Sequence, residues 1–333
     1  MFKLFGTCLD PAHVRNILVI TLSNLGDVIL TTPVMALLRE RFPEAKLSVV
    51  VGPKGVELLN TSTTIDEVIP FDKRSSFFEK VRLIARLRKH TFDLVVDLRN
   101  TMIPWMIKSR VRTPIQIDRR SISMRARHLD RVRSLMPVGP IQSRFHFFSE
   151  SEQTSAFQKI RECLSDWNED RFAVLAPGAG SDLKRWTLSG FGTVMDRLRA
   201  QNVSIVLVGD ARERRLGEEL LRNGAKPAAN MIGELTVREV AGAIAKAMLV
   251  VANDSAVMHL SHELGRRTIS IFGPTSEHKY GKTDLSSRSV RLALECAPCE
   301  QAQCRLPYRA CLDDLDASVV LNAYHELMEH EHD

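Results

Sequence analysis

The first half of the 333-residue chain alternates short apolar runs with longer stretches in which apolar residues recur every three or four positions. Short runs rich in β-branched residues predict strands, and the longer periodic stretches predict amphipathic helices. The predicted strands cover residues 16–22, 46–52, 67–71 and 93–98, and helices are predicted at 32–42 and 76–89. Strands that alternate with helices pair in parallel through helical crossovers, as in a doubly wound sheet.

The second half of the chain repeats this rhythm. Strands are predicted at residues 172–176, 203–209, 248–252 and 268–272, and helices at 188–201, 211–223, 236–247 and from 256 onward. Two consecutive α/β units suit a chain of this length better than one large sheet. The sequence therefore predicts two domains, 1–165 and 166–333, with the boundary in or just after a polar helix around residues 151–164.

The net charge of +6 is compatible with three kinds of partner: nucleic acid, anionic lipid headgroups and phosphorylated ligands. Aromatic residues make up 6% of the chain, and no basic run alternates with them, which disfavours nucleic acid. The longest clean apolar stretch near the start, residues 17–22, is far shorter than the ~20 residues of a membrane span. Residues 1–13 do not resemble a secretory signal, so we expect a cytoplasmic protein.

Residues 118–133 form the most basic segment of the chain. Its arginines are Arg119, Arg120, Arg125, Arg127, Arg131 and Arg133. Two interpretations stay open from the sequence: a solvated loop and helix face, or an arm that meets an anionic acceptor or the inner membrane surface.

A turn at residues 23–27 follows the first predicted strand. Ligands of open α/β sheets bind beyond the carboxyl ends of the strands, where Gly26 permits close approach and Asp27 offers a carboxylate. Asp27 could equally be a simple helix N-cap. The turn matches neither the G-x-G-x-x-G pattern of dinucleotide-binding proteins nor a P-loop.

Three further turns follow strands of the second half. Residues 177–186 combine small residues with Lys184, a cation for phosphate that could also simply cover the Trp186 indole. Residues 253–259 lead from a strand into a helix, so free N–H groups point at an anion, and Ser255 and His259 share a face. His259 could alternatively be a core histidine. Residues 273–275, Gly-Pro-Thr, end the next strand sharply.

The order of these motifs resembles glycosyltransferase family 9, the heptosyltransferases of lipopolysaccharide core assembly, over residues 16–327. The residues that carry the resemblance are Gly26 with Asp27 and Pro33, then Lys184 with Trp186, Asp254 to His259, and Gly273 to Thr275. The resemblance implies a GT-B fold, in which two Rossmann-like domains face a central cleft. The N-terminal domain would bind the acceptor and the C-terminal domain the nucleotide-sugar.

The resemblance also implies an inverting transfer that requires no metal ion or other cofactor, with the nucleotide-sugar as a substrate. Asp27 would be the general base, and Lys184 would neutralise the leaving diphosphate together with backbone N–H groups at the start of the third motif's helix. The residues expected to bind the donor are Ser181, Asp210, Glu234, Leu235, Asp254, Ser255, Ala256, His259, Gly273 and Thr275. Among them, Asp210, Glu234 and Leu235 would contact the nucleoside.

The expected donor is ADP-heptose and the expected acceptor is a lipopolysaccharide core, with peripheral contact at the cytoplasmic face of the inner membrane. Several family members carry glycine where this chain has Ala256, so the fit of the donor can differ. Three alternatives remain: a transferase of this fold that uses another nucleotide-sugar, a nucleotide-sugar epimerase, and a non-catalytic binding protein.

Four cysteines cluster near the C-terminus as C-x2-C-x4-C-x6-C. They are Cys296, Cys299, Cys304 and Cys311. In a reducing compartment, four thiols at this spacing are candidates for a structural zinc or iron–sulfur site. A tie for the loop and plain free thiols are the other two interpretations.

Overall fold

The computed structural model describes residues 10–115, 123–133, 135–136, 144–223 and 228–329. The chain divides into two compact units, Met1–Phe147 and Phe148–Asp333. Each unit is built around one sheet in which all the named strands pair in parallel. The predicted α/β class and the two doubly wound sheets are therefore confirmed.

The first unit has five strands and five α-helices among its described residues. The strands are β1 (Asn16–Thr21), β2 (Lys46–Val51), β3 (Glu67–Pro70), β4 (Thr91–Asp97) and β5 (Lys108–Arg112). The helices are α1 (Leu25–Arg41), α2 (Pro53–Leu59), α3 (Phe77–Leu87), α4 (Ile103–Met106) and α5 (Met124–Arg133). The strand order is β3-β2-β1-β4-β5.

Within residues 148–223 and 228–329, the second unit begins with α6 (Glu150–Cys163) and contains six strands in the order β11-β10-β9-β6-β7-β8. The strands are β6 (Phe172–Ala176), β7 (Ser204–Leu207), β8 (Ala229–Asn230), β9 (Leu249–Asn253), β10 (Thr268–Ile271) and β11 (Ser287–Val290). The remaining helices are α7 (Leu188–Ala200), α8 (Arg214–Asn223), α9 (Val237–Ile244), α10 (Ala256–Leu264), α11 (Glu277–Tyr280), α12 (Ala310–Asp313) and α13 (Ala317–Glu329). Each helix of the described ranges falls short of what crossing a bilayer requires.

All eight predicted strands are present, and each of their ends is shifted by two residues or fewer. Strands β5, β8 and β11 were not predicted. These three strands lie at the edges of their sheets, where a strand has one neighbour. An edge strand can carry polar residues on an exposed side. The run Lys108–Arg112 does so with three basic residues, and therefore it lacks an apolar pattern.

The strand order reverses between β1 and β4 in the first sheet and between β6 and β9 in the second. At such a switch point the connections leave toward opposite faces, which opens a crevice at the carboxyl ends of the two strands. The paired central strands are fully buried: Val19 pairs with Val49 and Val96, and Val174 pairs with Val206 and Val250. This packing makes each switch point a rigid platform.

The polar helix α6 belongs to the second unit, so the division lies at residues 147/148 and not at 165/166, where the sequence placed it. Its charged side chains are partners for α9. Arg238 donates to Glu152 at 2.7 Å, and Lys159 pairs with Glu239 at 2.7 Å. The charges that make this helix polar are the ones that dock it on α9.

Helix α1 continues through Pro33. Proline has no N–H, so the carbonyl four residues earlier, that of Ile29, loses its usual partner. The hydroxyl of Thr32 donates to the Ile29 oxygen at 2.7 Å and replaces that hydrogen bond. All three side chains are buried, and the helix that begins with Leu25, Gly26 and Asp27 therefore continues unbroken.

His128 on α5 is buried, and burial, followed by the charges of Arg131, Arg99 and Arg127, lowers its pKa to about 3. Neither ring nitrogen has a hydrogen-bond partner among the described residues. The unfolded chain takes up this proton near pH 6.5, and the folded protein takes it up only near pH 3. Folding stability is therefore full above pH 6.5 and falls as the pH decreases from that value toward 3.

We expect His128→Leu to reduce the loss of stability between pH 7.5 and pH 5. The histidine contributes about 2 kcal/mol to that loss, because its folded-state pKa lies far below the unfolded value. Urea unfolding followed by circular dichroism at both pH values measures the difference. His325→Leu, at an exposed site on α13, is the control. An unchanged pH dependence in His128→Leu would contradict the assignment.

Candidate active site

The candidate site of the second unit lies at the carboxyl edge of its sheet, around the β6/β9 switch point. Three turns meet there: residues 177–186 after β6, residues 254–255 after β9, and residues 273–275 after β10. Because β6, β9 and β10 are neighbours, their carboxyl ends place the three sequence motifs side by side.

Asp254 is the centre of this group. Its Oδ2 atom accepts hydrogen bonds from the Lys184 ammonium at 2.7 Å and from the Thr275 hydroxyl at 2.7 Å. The Nε2 atom of His259 lies 3.8 Å from Oδ1. The carboxylate is 5% exposed, and these partners offset the cost of burying it. The structure thus brings four of the predicted residues, Lys184, Asp254, His259 and Thr275, into one network.

Lys184 ends a short 3-10 turn, Asp182–Lys184, that Ser181 caps by accepting the Leu183 N–H at 3.3 Å. The side chain of Lys184 remains 31% exposed, so its ammonium can donate to a ligand as well as to Asp254. Its Nζ lies 5.7 Å from the ring centroid of Tyr280. Tyr280, which also contacts the His259 ring, was missed because no motif surrounds it.

Helix α10 begins directly after Ser255, its N-cap residue. The Ser255 hydroxyl is buried and has no hydrogen-bond partner in the described part of the chain, and it does not cap the helix. The first-turn N–H groups, beginning with that of Ala256, and the positive end of the helix dipole favour an anion at this position. The turn therefore provides donors for a phosphate group beside Lys184.

Asn253, the last residue of β9, ties this turn to the turn after β6. Its side-chain amide donates to the backbone oxygens of Pro177 at 2.8 Å and of Gly178 at 3.3 Å. Its Oδ1 atom accepts a hydrogen bond from the backbone N–H of Trp186 at 3.0 Å. Asn253 is fully buried. We had not predicted a role for it. The signal was available, since a buried asparagine at a strand end must find several partners.

Gly178 lies directly against the Glu213 side chain, which leaves no space for a Cβ atom. A Cβ atom there would lie 2.2 Å from the Glu213 carboxylate, whereas one at Gly180 would meet nothing within 4 Å. Glu213 also accepts the Asp210 N–H at 2.9 Å and lies 3.5 Å from the Arg185 guanidinium. This carboxylate, which we had not predicted, joins the turn after β6 to the turn after β7.

The predicted nucleoside residues Asp210, Glu234 and Leu235 lie on the turns that follow β7 and β8. The Asp210 carboxylate caps the 3-10 turn Ala211–Glu213, and Glu234 forms an ion pair with Arg214. The two turns touch because Gly233, at φ +77°, packs against Ala211. Gly273 stands apart from this group, against Leu312 beneath the Gly-Pro-Thr turn.

In the first unit, Asp27 is the third residue of α1, and the N-cap is Asn24. The alternative that Asp27 is a simple N-cap is therefore wrong. Its Oδ2 lies 3.9 Å from the Nη1 atom of Arg99. Since Arg99 follows β4 and Asp27 follows β1, this pair sits at the switch point of the first sheet. Arg99 had not been singled out in the sequence.

The turn after β4 is held by the basic helix α5. The buried Arg131 donates to the Asp97 oxygen at 2.9 Å and to the Asn100 Oδ1 at 2.8 Å. The interpretation of the basic segment as a solvated face is therefore wrong for Arg131. Arg133 pairs with Asp130 at 2.8 Å. Arg119 and Arg120 lie outside the described residues.

The thiols of Cys296, Cys299, Cys304 and Cys311 are free of disulfides. Burial raises the pKa of Cys311, and the charges of Cys304, Cys299 and Cys296 raise it further. The structure groups no three cysteine, histidine or acidic side chains as metal ligands within its described residues. Metal binding by this cluster stays a prediction.

Comparison with known proteins matches residues 80–309 to glycosyltransferase family 9 (heptosyltransferase). The chain is 25% identical over 278 residues to lipopolysaccharide heptosyltransferase 3 of Escherichia coli K12, covering 75% of this chain and 80% of that protein. It is also similar to the structure of a family 9 glycosyl transferase from Veillonella parvula, with a TM-score of 0.79, 20% identity and coverage of 95% and 97%.

A second similar structure is the E. coli ADP-heptose LPS heptosyltransferase II, with a TM-score of 0.77, 21% identity and coverage of 96% of this chain and 100% of that one. Because the two structures are 20% and 21% identical to this chain, the similarity establishes the fold of the chain. The predicted GT-B fold of two Rossmann-like domains is thereby confirmed.

We expect Asn253→Ala to lower the free energy of unfolding by about 2–4 kcal/mol, because it leaves the Trp186 N–H and the Pro177 oxygen buried without partners. Chemical denaturation measures this change. Asn168→Ala, which removes one hydrogen bond from an exposed turn, is the matched control and should cost less than about 1 kcal/mol. Equal losses in the two variants would show that Asn253 does not hold the turn.

Proposed function

The chain belongs to glycosyltransferase family 9, and from that premise we propose that this glycosyltransferase moves a heptose from ADP-heptose onto a lipopolysaccharide core. The donor is supported by the name of the similar E. coli enzyme, an ADP-heptose LPS heptosyltransferase. The acceptor is supported by that name and by the lipopolysaccharide heptosyltransferase with which the chain shares 25% identity. We place the reaction at the cytoplasmic face of the inner membrane, where such an acceptor is lipid-linked.

The observation that carries the proposal is the Lys184–Asp254–Thr275 network at the N-terminus of α10. A leaving diphosphate develops negative charge as its bond to the sugar breaks. One ammonium and a set of helix N–H groups, held in place beforehand, stabilise that charge without reorganising. Asp254 is a positioning residue in this account: it fixes Lys184 and keeps its own carboxylate almost wholly out of solvent.

The Asp27 carboxylate acts as the general base. It takes the proton from an acceptor hydroxyl while that oxygen attacks the anomeric carbon and the carbon–oxygen bond to the diphosphate breaks. One displacement from the opposite face inverts the anomeric configuration. A carboxylate suits this role when it lies within hydrogen-bond reach of the attacking hydroxyl. The Nη1 atom of Arg99 lies 3.9 Å from the Asp27 Oδ2 and orients the carboxylate.

The two roles fall on different units, the acceptor on the first and the donor on the second. In the second unit, the diphosphate is assigned to Lys184 and the start of α10, and the sugar to His259, with Asp254 positioning Lys184. The nucleoside is assigned to the turns that carry Asp210, Glu234 and Leu235. Lys184 and the helix terminus supply the positive charge that a metal ion provides in other transferases, so we propose that transfer requires no metal.

We expect Asp27→Asn to lower kcat about a thousandfold, because the amide cannot accept the proton, while ADP binds as in the wild type. Transfer assays and calorimetric ADP titration measure the two effects. Glu44→Gln, at an exposed site before β2 on the opposite edge of the same sheet, is the control and should keep full activity. Wild-type turnover in Asp27→Asn would remove Asp27 from the mechanism.

We expect ADP and ADP-heptose to raise the thermal midpoint, and UDP and GDP to raise it much less, since a ligand of the folded state stabilises in proportion to its occupancy. Lys184→Ala should bind ADP roughly tenfold to a hundredfold more weakly, because it loses a charge-assisted hydrogen bond. Lys246→Ala, on the surface near Glu169, is the matched control.

The outcomes of this screen separate the alternatives. A preference for UDP or GDP would overturn the donor assignment and keep the transferase. A changed sugar that appears without acceptor would indicate an epimerase. A protein that no nucleotide stabilises would be a binding protein without this activity.

A further inference from the structure

Helices α3 and α4 cover the same face of the first sheet. Their buried side chains, such as Leu83 and Leu87 on α3 and Ile103 on α4, pack into one apolar cluster with strand residues. Arg88, just after α3, donates to the Met106 oxygen of α4 at 2.7 Å and joins the two helices. The exposed side chains of the two helices and of Met102, the N-cap residue of α4, are here called the α3–α4 face.

This face is unusually apolar. It carries six of the large hydrophobic side chains that are exposed in the described residues, with exposed fractions from 45% to 82%. They are Phe77, Phe78, Val81, Met102, Trp105 and Met106. Single exposed apolar residues are ordinary, whereas a group on one face marks an interaction surface.

The backbone that carries the aromatic side chains of the α3–α4 face is held by local contacts. Phe77 and Phe78 are the first two residues of α3, and a capping box between Ser76 and Glu79 fixes that turn. The Arg112 guanidinium lies 4.6 Å from the Trp105 ring centroid and packs against the ring. Little backbone freedom is therefore lost when Phe77 and Phe78 are covered, which favours binding.

The charge around these side chains is predominantly positive. Residues 72–90 contain seven lysines and arginines and two acidic residues, and most of the basic side chains are exposed. Lys108 and Arg110 on the edge strand β5 add to the positive charge. Apolar and aromatic side chains among basic ones fit a surface that is both negatively charged and apolar beneath its charges.

We propose that the α3–α4 face docks on an anionic lipid bilayer, with Phe77 and Phe78 entering the headgroup region and the basic residues contacting lipid phosphates. A second copy of this chain is a poorer occupant, since a two-fold interface would set the same basic surface against itself. This inference rests on the proposed function: a lipid-linked acceptor must be reached at a membrane. The first turn of α3 follows β3, so it lies at the same sheet edge as Asp27.

Sedimentation with vesicles of phosphatidylcholine containing phosphatidylglycerol tests the docking. We expect the protein to bind these vesicles and to bind pure phosphatidylcholine vesicles much more weakly. The double variant F77S/F78S should bind the anionic vesicles at least about tenfold more weakly, because it loses two insertable aromatic side chains. The matched control L285S/V319S removes two exposed apolar side chains from the second unit and should bind as the wild type.

A charge variant separates insertion from attraction. K80Q/R82Q should weaken binding about tenfold or more at low salt, and the difference should shrink as salt increases. Equal vesicle binding by F77S/F78S and the wild type, or no binding by the wild type, would overturn the proposal. So would a wild type that forms dimers which F77S/F78S abolishes, because the occupant would then be a second copy.

The experiment also separates this proposal from the proposed function. Vesicle binding requires no turnover, so Asp27→Asn should bind vesicles as the wild type does. F77S/F78S should retain activity on a water-soluble acceptor fragment and lose it on acceptor embedded in vesicles. Normal docking by a protein without transferase activity would leave this inference standing and defeat the proposed function alone.

Discussion

The second unit depends on the hydrogen bonds that Asn253 makes at the switch point of its sheet. The connections that follow the two strands run to opposite faces of the sheet, so the carboxyl ends of the strands stay open. The pairing of the strands does not by itself fix the turns beyond them. Asn253 supplies that constraint with three hydrogen bonds made where water is excluded. The position of the turn that carries Lys184 follows from this clamp.

The electrostatic arrangement of the site follows from the same rigidity. A carboxylate as buried as that of Asp254 is tolerable only with close partners, and Lys184 and Thr275 supply them. Lys184 in turn is held at the start of α10, although a free lysine would sample many rotamers. The burial of one negative charge thus orders the positive charge that we assign to the diphosphate.

The two units use one architectural device for different chemistry. In both, the residues assigned to the reaction follow the two strands at which the strand order reverses: Asp27 and Arg99 in the first unit, Lys184 and Asp254 in the second. The first pair exposes a carboxylate with an arginine at 3.9 Å, which suits a base. The second buries the carboxylate and exposes the cation, which suits an anion site.

The sequence by itself determined the α/β class, the two sheets, the central strands and the motifs that form the site, because buried strands and strand-to-helix turns leave strong local patterns. It did not reveal the edge strands β5 and β11, whose polar residues carry no such pattern. It also placed α6 outside the unit that it docks on, since its ion pairs with α9 join residues 80 and 86 positions apart.

The tertiary structure alone decided which residues meet. Three pairs are formed by residues that are distant in sequence, so no motif spacing predicts them. These pairs are Arg99 with Asp27, Glu213 with Gly178, and Tyr280 with Lys184. The α3–α4 face had the same origin. Phe77 and Phe78 fit the apolar pattern of a helix, and only the packing of α3 on the sheet showed that Leu83 and Leu87 face the core while the two phenylalanines face solvent. Local sequence sets the type of each element, whereas long-range packing selects its buried side.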